Sequence, residues 1–357
     1  MLVISNEEVR QLLTMKDCMA VLEEAYMERH HQRALSRPRT DLYSKIDDET
    51  YYVFKSMEGV LPKRKVTALR LNSDVIKWNK TPHGIRKDKQ PLADGRWVGL
   101  IALFDMTNGK MLAILPDGVV QGFRVAATGG LGIKYLARPD AKTMGLYGAG
   151  WQAETQVISA CEARRLDYVK VYSPTRAKRE EFAQRLSQRV GIPVIAVDRP
   201  EEAAIGLDIV AATTNSITQV IKPDWISTGT HISCVKHLEL GDDVIAKADF
   251  VAVHSHRTTP ENYMIGQGET RIEGQDPNEK GAHQVSDIGW ESSPELHTIM
   301  GGGAAGRTDS KQITCFVNNI GLGLQFAAVG ALILDKANER GLGIRLPDSW
   351  FTEDVHP

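Results

Sequence analysis

The sequence predicts an α/β protein in two parts: an α+β part with a mostly antiparallel sheet, then a parallel sheet built from alternating strands and helices. Three observations carry this. From Lys142 onward, short apolar runs alternate with amphipathic stretches, the rhythm of βαβ units. Before it, strand-like pieces follow one another without helices between them, and two of them flank a hairpin turn. Finally, a glycine-rich turn, Gly148-Ala149-Gly150-Trp151-Gln152-Ala153, sits between the first strand and the first helix of the alternating part.

Taken in order, Asn6 is expected to cap a short helix carrying Val9, Leu12 and Leu13. Thr14, with Asp17 three residues on, caps a longer one carrying Cys18, Val21, Leu22 and Ala25. Strands are expected at Thr50–Phe54, Val66–Leu71, Val98–Phe104 and Lys110–Leu115, the last two joined by the turn Asp105–Gly109. The stretch from about residue 80 to Gly95, with Pro82, His83, Gly84, Lys87, Lys89 and Pro91, reads as a polar, mobile loop.

The glycine turn follows the apolar strand Thr143–Tyr147 and opens a helix over Ala153–Ala163; a second strand, Val169–Ser173, follows. This is the phosphate-cradling turn of a Rossmann unit. The first glycine makes the tight turn and the second lets backbone amides approach a pyrophosphate. Ala153 allows close helix–strand packing, and the helix N-terminus presents its positive dipole end. Further strands at Pro193–Val197, Asp208–Ala212, His231–Val235 and Asp249–Val253 bring the number to six. The chain is then irregular to about Ser310, and such a stretch commonly covers a site. Ile320–Arg340 reads as one amphipathic helix stopped by Gly341. Residues 1–125 with 318–357 are expected to form a substrate-binding and dimerisation domain, and 126–317 the NAD(P)-binding Rossmann domain.

Composition excludes several classes. With 357 residues, 42% apolar, 25% charged and a net charge of −2, the chain suits neither nucleic acid nor an anionic membrane surface. No segment has the ~18 continuous apolar residues that span a bilayer, and no leader-like N-terminus is read. Cys18, Cys161, Cys234 and Cys315 have neither zinc nor disulfide spacing, so no metal is expected. A cytoplasmic location is expected.

With the glycine turn, three further segments give the chain a family resemblance. Gln121-Gly122-Phe123-Arg124-Val125-Ala126-Ala127-Thr128, Ala211-Ala212-Thr213-Thr214-Asn215-Ser216, and Gly306-Arg307-Thr308-Asp309-Ser310 with Ile313-Thr314-Cys315-Phe316 resemble the ornithine cyclodeaminase/μ-crystallin family. The resemblance covers nearly the whole chain. It implies a homodimer built through the N-terminal sheet, with the active site between that sheet and the Rossmann domain.

Cofactor contacts are expected from Gly148, Ala149, Gly150, Trp151 and Gln152, from Thr213, Thr214 and Asn215, and from Cys234 and Val235. The second strand ends in Ser173-Pro174-Thr175-Arg176 rather than in a carboxylate. Ser173, Thr175 and Arg176 suit a 2′-phosphate, so NADP is preferred and NAD is the alternative; the basic residues here also fit a solvated helix start. On the substrate side the resemblance assigns Arg124 to the substrate carboxylate. Arg39 is a second candidate, with Arg37 competing for its role. Arg70 stands where the family usually has a lysine, and Lys55 where cyclodeaminases have a glutamate for the distal amine.

The family's catalytic aspartate falls on Leu238, in the loop Lys236-His237-Leu238-Glu239. His237 could supply the proton that accompanies hydride delivery, Lys236 could bind an acidic substrate or form a Schiff base if desolvated, and Glu239 could replace the aspartate. A charged surface loop is the plain alternative. The expectation is an NAD(P)-dependent oxidoreductase acting on a C=N or C=O beside a carboxylate, or its reverse on an amino acid. Because Lys55 and Lys236 add positive charge, an acidic small-molecule substrate is expected. A cyclodeaminase that recycles its bound nucleotide, or a catalytically silent ligand-binding protein, are the alternatives.

Overall fold

A computed structural model describes residues 1–81, 84–216, 218–256, 261–265, 271–272 and 292–355. The expected α/β architecture is present as two sheets. In the larger, Thr40–Lys45, Thr50–Leu61, Val66–Thr81, Val98–Asp105 and Met111–Pro116 are successive antiparallel neighbours. The mixed character comes from its edges. Leu2–Val3 pairs parallel with Met111–Pro116, and Glu261–Met264 returns from beyond the other sheet to lie parallel to Thr40–Lys45. The stretch expected as a mobile loop is in part a hairpin: Gly84–Gln90 pairs antiparallel with Val75–Thr81, because the strand begun at Val66 runs on past Leu71.

That long strand carries its information in period two. Its even positions Ala68, Arg70, Asn72, Asp74, Ile76 and Trp78 are buried, as are Tyr51, Val53, Lys55, Met57 and Leu61 of its neighbour. The inner face therefore runs from apolar to polar and back. At one end Met57, Leu61, Ala68, Ile101 and Leu103 pack under the helices Met15–His30, Gly118–Leu136 and Gly323–Arg340. At the other, Tyr43, Tyr51, Val53, Ile76 and Trp78 form a small separate cluster. Lys55, Arg70, Asn72 and Asp74 lie between.

The second sheet is wholly parallel, in the spatial order Val194–Ala196, Tyr168–Tyr172, Thr143–Tyr147, Ile209–Ala212, His231–Cys234, Thr314–Val317, Phe250–Val253. The expected six strands are there, and the described residues add a seventh. Thr314–Val317 inserts between His231–Cys234 and Phe250–Val253. It was read only as a run before the last helix; four residues that are buried on every side show no alternation to betray a strand. The last helix starts at Gly323 rather than Ile320. Strand order reverses between Thr143–Tyr147 and Ile209–Ala212, and that switch point at the carboxyl ends is where ligands of open α/β sheets bind.

Candidate active site

At the switch point Gly148 adopts φ +114°, and a Cβ there would lie 2.7 Å from the Thr213 carbonyl oxygen. Only glycine suits that backbone and that approach. Gly150 differs: its φ of −97° is ordinary, and a Cβ would meet nothing in the protein within 4 Å. It caps the helix Trp151–Ala163 without a side-chain bond to the first turn. The first-turn N–H groups are thus left uncapped by any N-cap side chain, the state in which a helix N-terminus can take a pyrophosphate. The residues present fit a dinucleotide.

Other expected cofactor residues gather around the same edge. Ala149, Trp151 and Gln152 flank the turn, and Gln152 Nε2 lies 3.5 Å from the Gly122 carbonyl. Thr213 N donates to Tyr147 O at 2.9 Å, and Thr213, Cys234 and Val235 line one cleft together with Gly129, Gln156 and Asn318. Thr214 and Asn215 continue from Thr213 along the same loop. Of the basic residues after Ser173, Arg176 is exposed and bonds Glu180 at 2.8 Å. Arg179 is structural: it donates to the Ser173 carbonyl at 3.1 Å, pairs with Asp198 and stacks on Tyr172. Thr175 is the N-cap position of that helix but makes no side-chain capping bond.

The substrate-side candidates converge on the polar band, and each of three cations has its own carboxylate. Arg39 pairs with Asp41 at 2.9 Å, Lys55 with Asp74 at 3.0 Å and Arg70 with Asp117 at 2.7 Å. Asn72 Nδ2 also donates to Asp117 at 3.1 Å. Lys89, from the hairpin, reaches Asp74 at 3.0 Å. Burial, offset in part by Asp74, brings the Lys55 ammonium down to about 8. Burial also lowers Arg70, against the pull of Asp117.

Arg124 stands apart. It is 6% exposed, and among the described residues it has no carboxylate partner. Gln121 Oε1 accepts from its Nε at 3.3 Å and Nη2 at 2.8 Å, and Gln325 Oε1 accepts from Nη1 at 3.0 Å. Its guanidinium and that of Arg70 both lie over the Phe326 ring, 5.3 and 5.4 Å from the centroid. Gly321 makes room, since a Cβ there would sit 2.4 Å from Nη1. Burial first, then repulsion by Arg70, push the Arg124 guanidinium down to about 9. Three of its five N–H groups are used. One N–H remains on each terminal nitrogen, the pair that a carboxylate bridges.

The loop after His231–Cys234 differs from its expectation in two places. Glu239 is fully buried and its carboxylate accepts from the backbone N–H groups of Thr214 and, at 3.1 Å, Lys236. It braces the loop against the Thr213–Ser216 segment, one amide on each oxygen, and its full burial sets it apart from the free acid that was expected; burial raises its pKa. Lys236 is exposed, so the desolvation that would free its amine for a Schiff base is missing. His237 is half-buried in the short 3₁₀ turn His237–Glu239. Asp41, Asp74, Asp117, Gln121, Gln325 and Phe326 were missed in the sequence. Of the three carboxylates of that band, only Asp74 had a signal in the sequence, the buried period-two run through Asn72 and Asp74.

The family model described as "Ornithine cyclodeaminase/mu-crystallin family" matches residues 1–341. The chain belongs to that family. A Delta(1)-pyrroline-2-carboxylate reductase of Bacillus cereus is 30% identical over 97% of this chain and 99% of its own. An alanine dehydrogenase of Archaeoglobus fulgidus is 25% identical over 97% and 98%. Among solved structures, the Thermococcus litoralis Delta(1)-pyrroline-2-carboxylate reductase in complex with NADH and L-proline superposes with a TM-score of 0.77, at 26% identity, covering 97% of this chain and all of that one. Membership was legible in the glycine turn and the Gln121–Thr128 segment.

Proposed function

We propose that the protein is an NAD(P)H-dependent reductase of a carbon–nitrogen double bond next to a carboxylate. The observation that carries this reading is Arg124: a buried cation with no counter-carboxylate among the described residues and with two of its N–H groups unspent. A substrate carboxylate would relieve that charge and hold the imine carbon in place. The nucleotide, when bound, supplies a hydride to that carbon. The imine nitrogen takes a proton, for which His237 at the end of the neighbouring strand is the candidate donor. The reduction then consumes one reduced nucleotide and one proton for each amine formed. NADPH is preferred, since Arg176 beside Ser173 suits a 2′-phosphate.

The named activity of the Bacillus cereus relative makes a cyclic imino acid the first substrate to try. The band also favours a second acidic group, because among the described residues Arg39, Lys55, Arg70, Lys89 and Arg124 are set against Asp41, Asp74 and Asp117, five cations to three carboxylates. In this reading residues 1–125 with 318–357 hold the substrate and 126–317 the nucleotide. A homodimer is supported by exposed Leu42, Tyr52 and Leu100 on the outer face of the larger sheet. Free thiols at all four cysteines suit the cytoplasm, and no described helix is long and apolar enough to cross a membrane.

The test is consumption of NADPH and NADH absorbance with Delta(1)-pyrroline-2-carboxylate, and with 2-oxo acids plus ammonia or methylamine, oxaloacetate included. Turnover of ornithine to a cyclic product without net nucleotide change would replace this reading with a cyclodeaminase, and binding without turnover would replace it with a silent module.

A further inference from the structure

On the Gln325 side of Arg124, four elements bring one buried polar side chain each to a point. These are Tyr26 from the helix Met15–His30, Thr128 from Gly118–Leu136, His254 just after the strand Phe250–Val253, and Gln325 from Gly323–Arg340. All four are 1% exposed or less. The hydrogens in this cluster can be assigned one by one.

His254 Nδ1 faces the carbonyl oxygen of Ile320, which can only accept, so Nδ1 carries the hydrogen. Burial, with Arg29 nearby, drives the imidazole down to about 3, so the ring is neutral and Nε2 holds a lone pair. Nε2 therefore accepts from the Tyr26 hydroxyl at 2.9 Å. The Tyr26 oxygen must then accept, and it does so from Gln325 Nε2 at 2.9 Å. The second Gln325 Nε2 hydrogen goes to Thr128 Oγ1 at 2.8 Å. The Thr128 hydrogen has the Arg124 carbonyl at 2.9 Å and the Tyr26 oxygen at 2.7 Å within reach. With its nitrogen committed, the Gln325 amide turns its oxygen the other way. Oε1 accepts from Arg124 Nη1 at 3.0 Å and from Leu322 N at 2.8 Å. All four hydrogen-bonding capacities of the amide are used.

We propose that Gln325 is a positioning residue for substrate recognition. It holds Arg124 so that the two remaining N–H groups point at the substrate carboxylate, and its polarity is set by His254 through Tyr26. The proposal rests on the reading of Arg124 as the carboxylate ligand. A reversed amide would present NH₂ to a guanidinium, donor against donor, and Arg124 would turn away. Since His254 follows a strand of the parallel sheet, the same chain of bonds ties the nucleotide half of the molecule to the substrate arginine.

The test is the KM-against-kcat split of the full-length protein for Delta(1)-pyrroline-2-carboxylate with NADPH. Gln325→Met, which keeps the length but none of the bonds, and Tyr26→Phe, which lets the amide reverse, should each raise KM by about 10- to 100-fold. In both variants kcat should fall less than KM rises, and NADPH binding, followed by fluorescence titration, should stay at the wild-type value. Gln325→Glu should behave like Gln325→Met, because its carboxylate neutralises Arg124 and supplies no donor to Tyr26. KM within about twofold of wild type in Tyr26→Phe, with NADPH binding intact, would overturn the proposal whether or not the Gln325 variants fold. Arg124→Ala separates the two claims: an unchanged KM there removes the carboxylate reading itself, whereas a raised KM there beside normal Tyr26→Phe kinetics removes only Gln325 from the positioning role.

Discussion

Lys55 Nζ lies 3.0 Å from Asp74 Oδ2, and Lys89 Nζ lies 3.0 Å from the same oxygen. One buried carboxylate therefore serves two ammonium groups, and the more deeply buried of the two, Lys55, is brought down to about 8. Burial is the largest influence; of the groups facing Lys55, Asp74 and Asp41 favour its charged form, whereas Lys89 and Arg39 oppose it together with burial. Lys55 is a cation below about 8 and becomes neutral above it. If it takes a second acidic group of the substrate, KM for a dicarboxylic imine should rise as pH passes through about 8, whereas KM for a monocarboxylic imine should stay flat. Lys55→Met should abolish that limb. Parallel pH profiles for the two substrates would remove Lys55 from the substrate's contacts.

Arg124 has no counter-carboxylate among the described residues, so its loss should be felt in binding and catalysis more than in folding. Arg124→Ala should lower kcat/KM by about 100-fold or more, the range for truncating one partner of a buried charge pair. Arg124→Lys should recover little, because an ammonium cannot reproduce the paired N–H geometry while also reaching Gln121 and Gln325. NADPH affinity should be unchanged in both. Steady-state kinetics beside a nucleotide titration check this, and a variant that loses both at once would place Arg124 in the scaffold instead.

What the sequence made legible was local chemistry. The glycine turn, the strands on either side of it and the Asp105–Gly109 hairpin announce themselves within a few residues of chain, through glycine placement and apolar runs. Arg124 was readable because its neighbours Gln121–Thr128 carry the family's pattern. The carboxylates that complete the polar band were not: Asp74 and Asp117 stand 19 and 47 positions from Lys55 and Arg70, and meet them only through the pairing of the strands. The charge argument changed for the same reason. Lys55 alone reads as added positive charge, but opposite Asp74 it is half neutralised. Glu239 read as a free acid because nothing in the loop sequence tells that its side chain turns back onto two amides.

Nucleotide preference hangs on Arg176, whose guanidinium bonds Glu180 one turn along an exposed helix face. So exposed a pair contributes little, and a doubly charged 2′-phosphate should displace Glu180 readily. Arg176→Ala should raise KM for NADPH by about tenfold and leave KM for NADH unchanged. Arg179 is no substitute, because Asp198, Tyr172 and the Ser173 carbonyl already hold it. Equal effects on the two nucleotides would move the 2′-phosphate away from Arg176.

The two glycines of the turn should fail in different ways when replaced by alanine. At Gly148 the backbone lies at φ +114° and the new Cβ would stand 2.7 Å from the Thr213 carbonyl, with no flexible side chain to give way. Gly148→Ala should cost about 1–3 kcal/mol of stability, visible as a lowered thermal midpoint, with nucleotide binding lost as the switch-point loops part. At Gly150 alanine can keep φ −97° and its Cβ meets no protein atom within 4 Å, so the fold should be indifferent. The methyl group would instead occupy the approach to the first-turn N–H groups of Trp151–Ala163. Gly150→Ala should therefore melt like the wild type while its NADPH affinity falls by about tenfold or more, the effect of moving an anion off a helix N-terminus and its amides. Thermal unfolding and NADPH titration on the pair give the readout. If Gly150→Ala binds NADPH normally, the pyrophosphate does not lie over this turn.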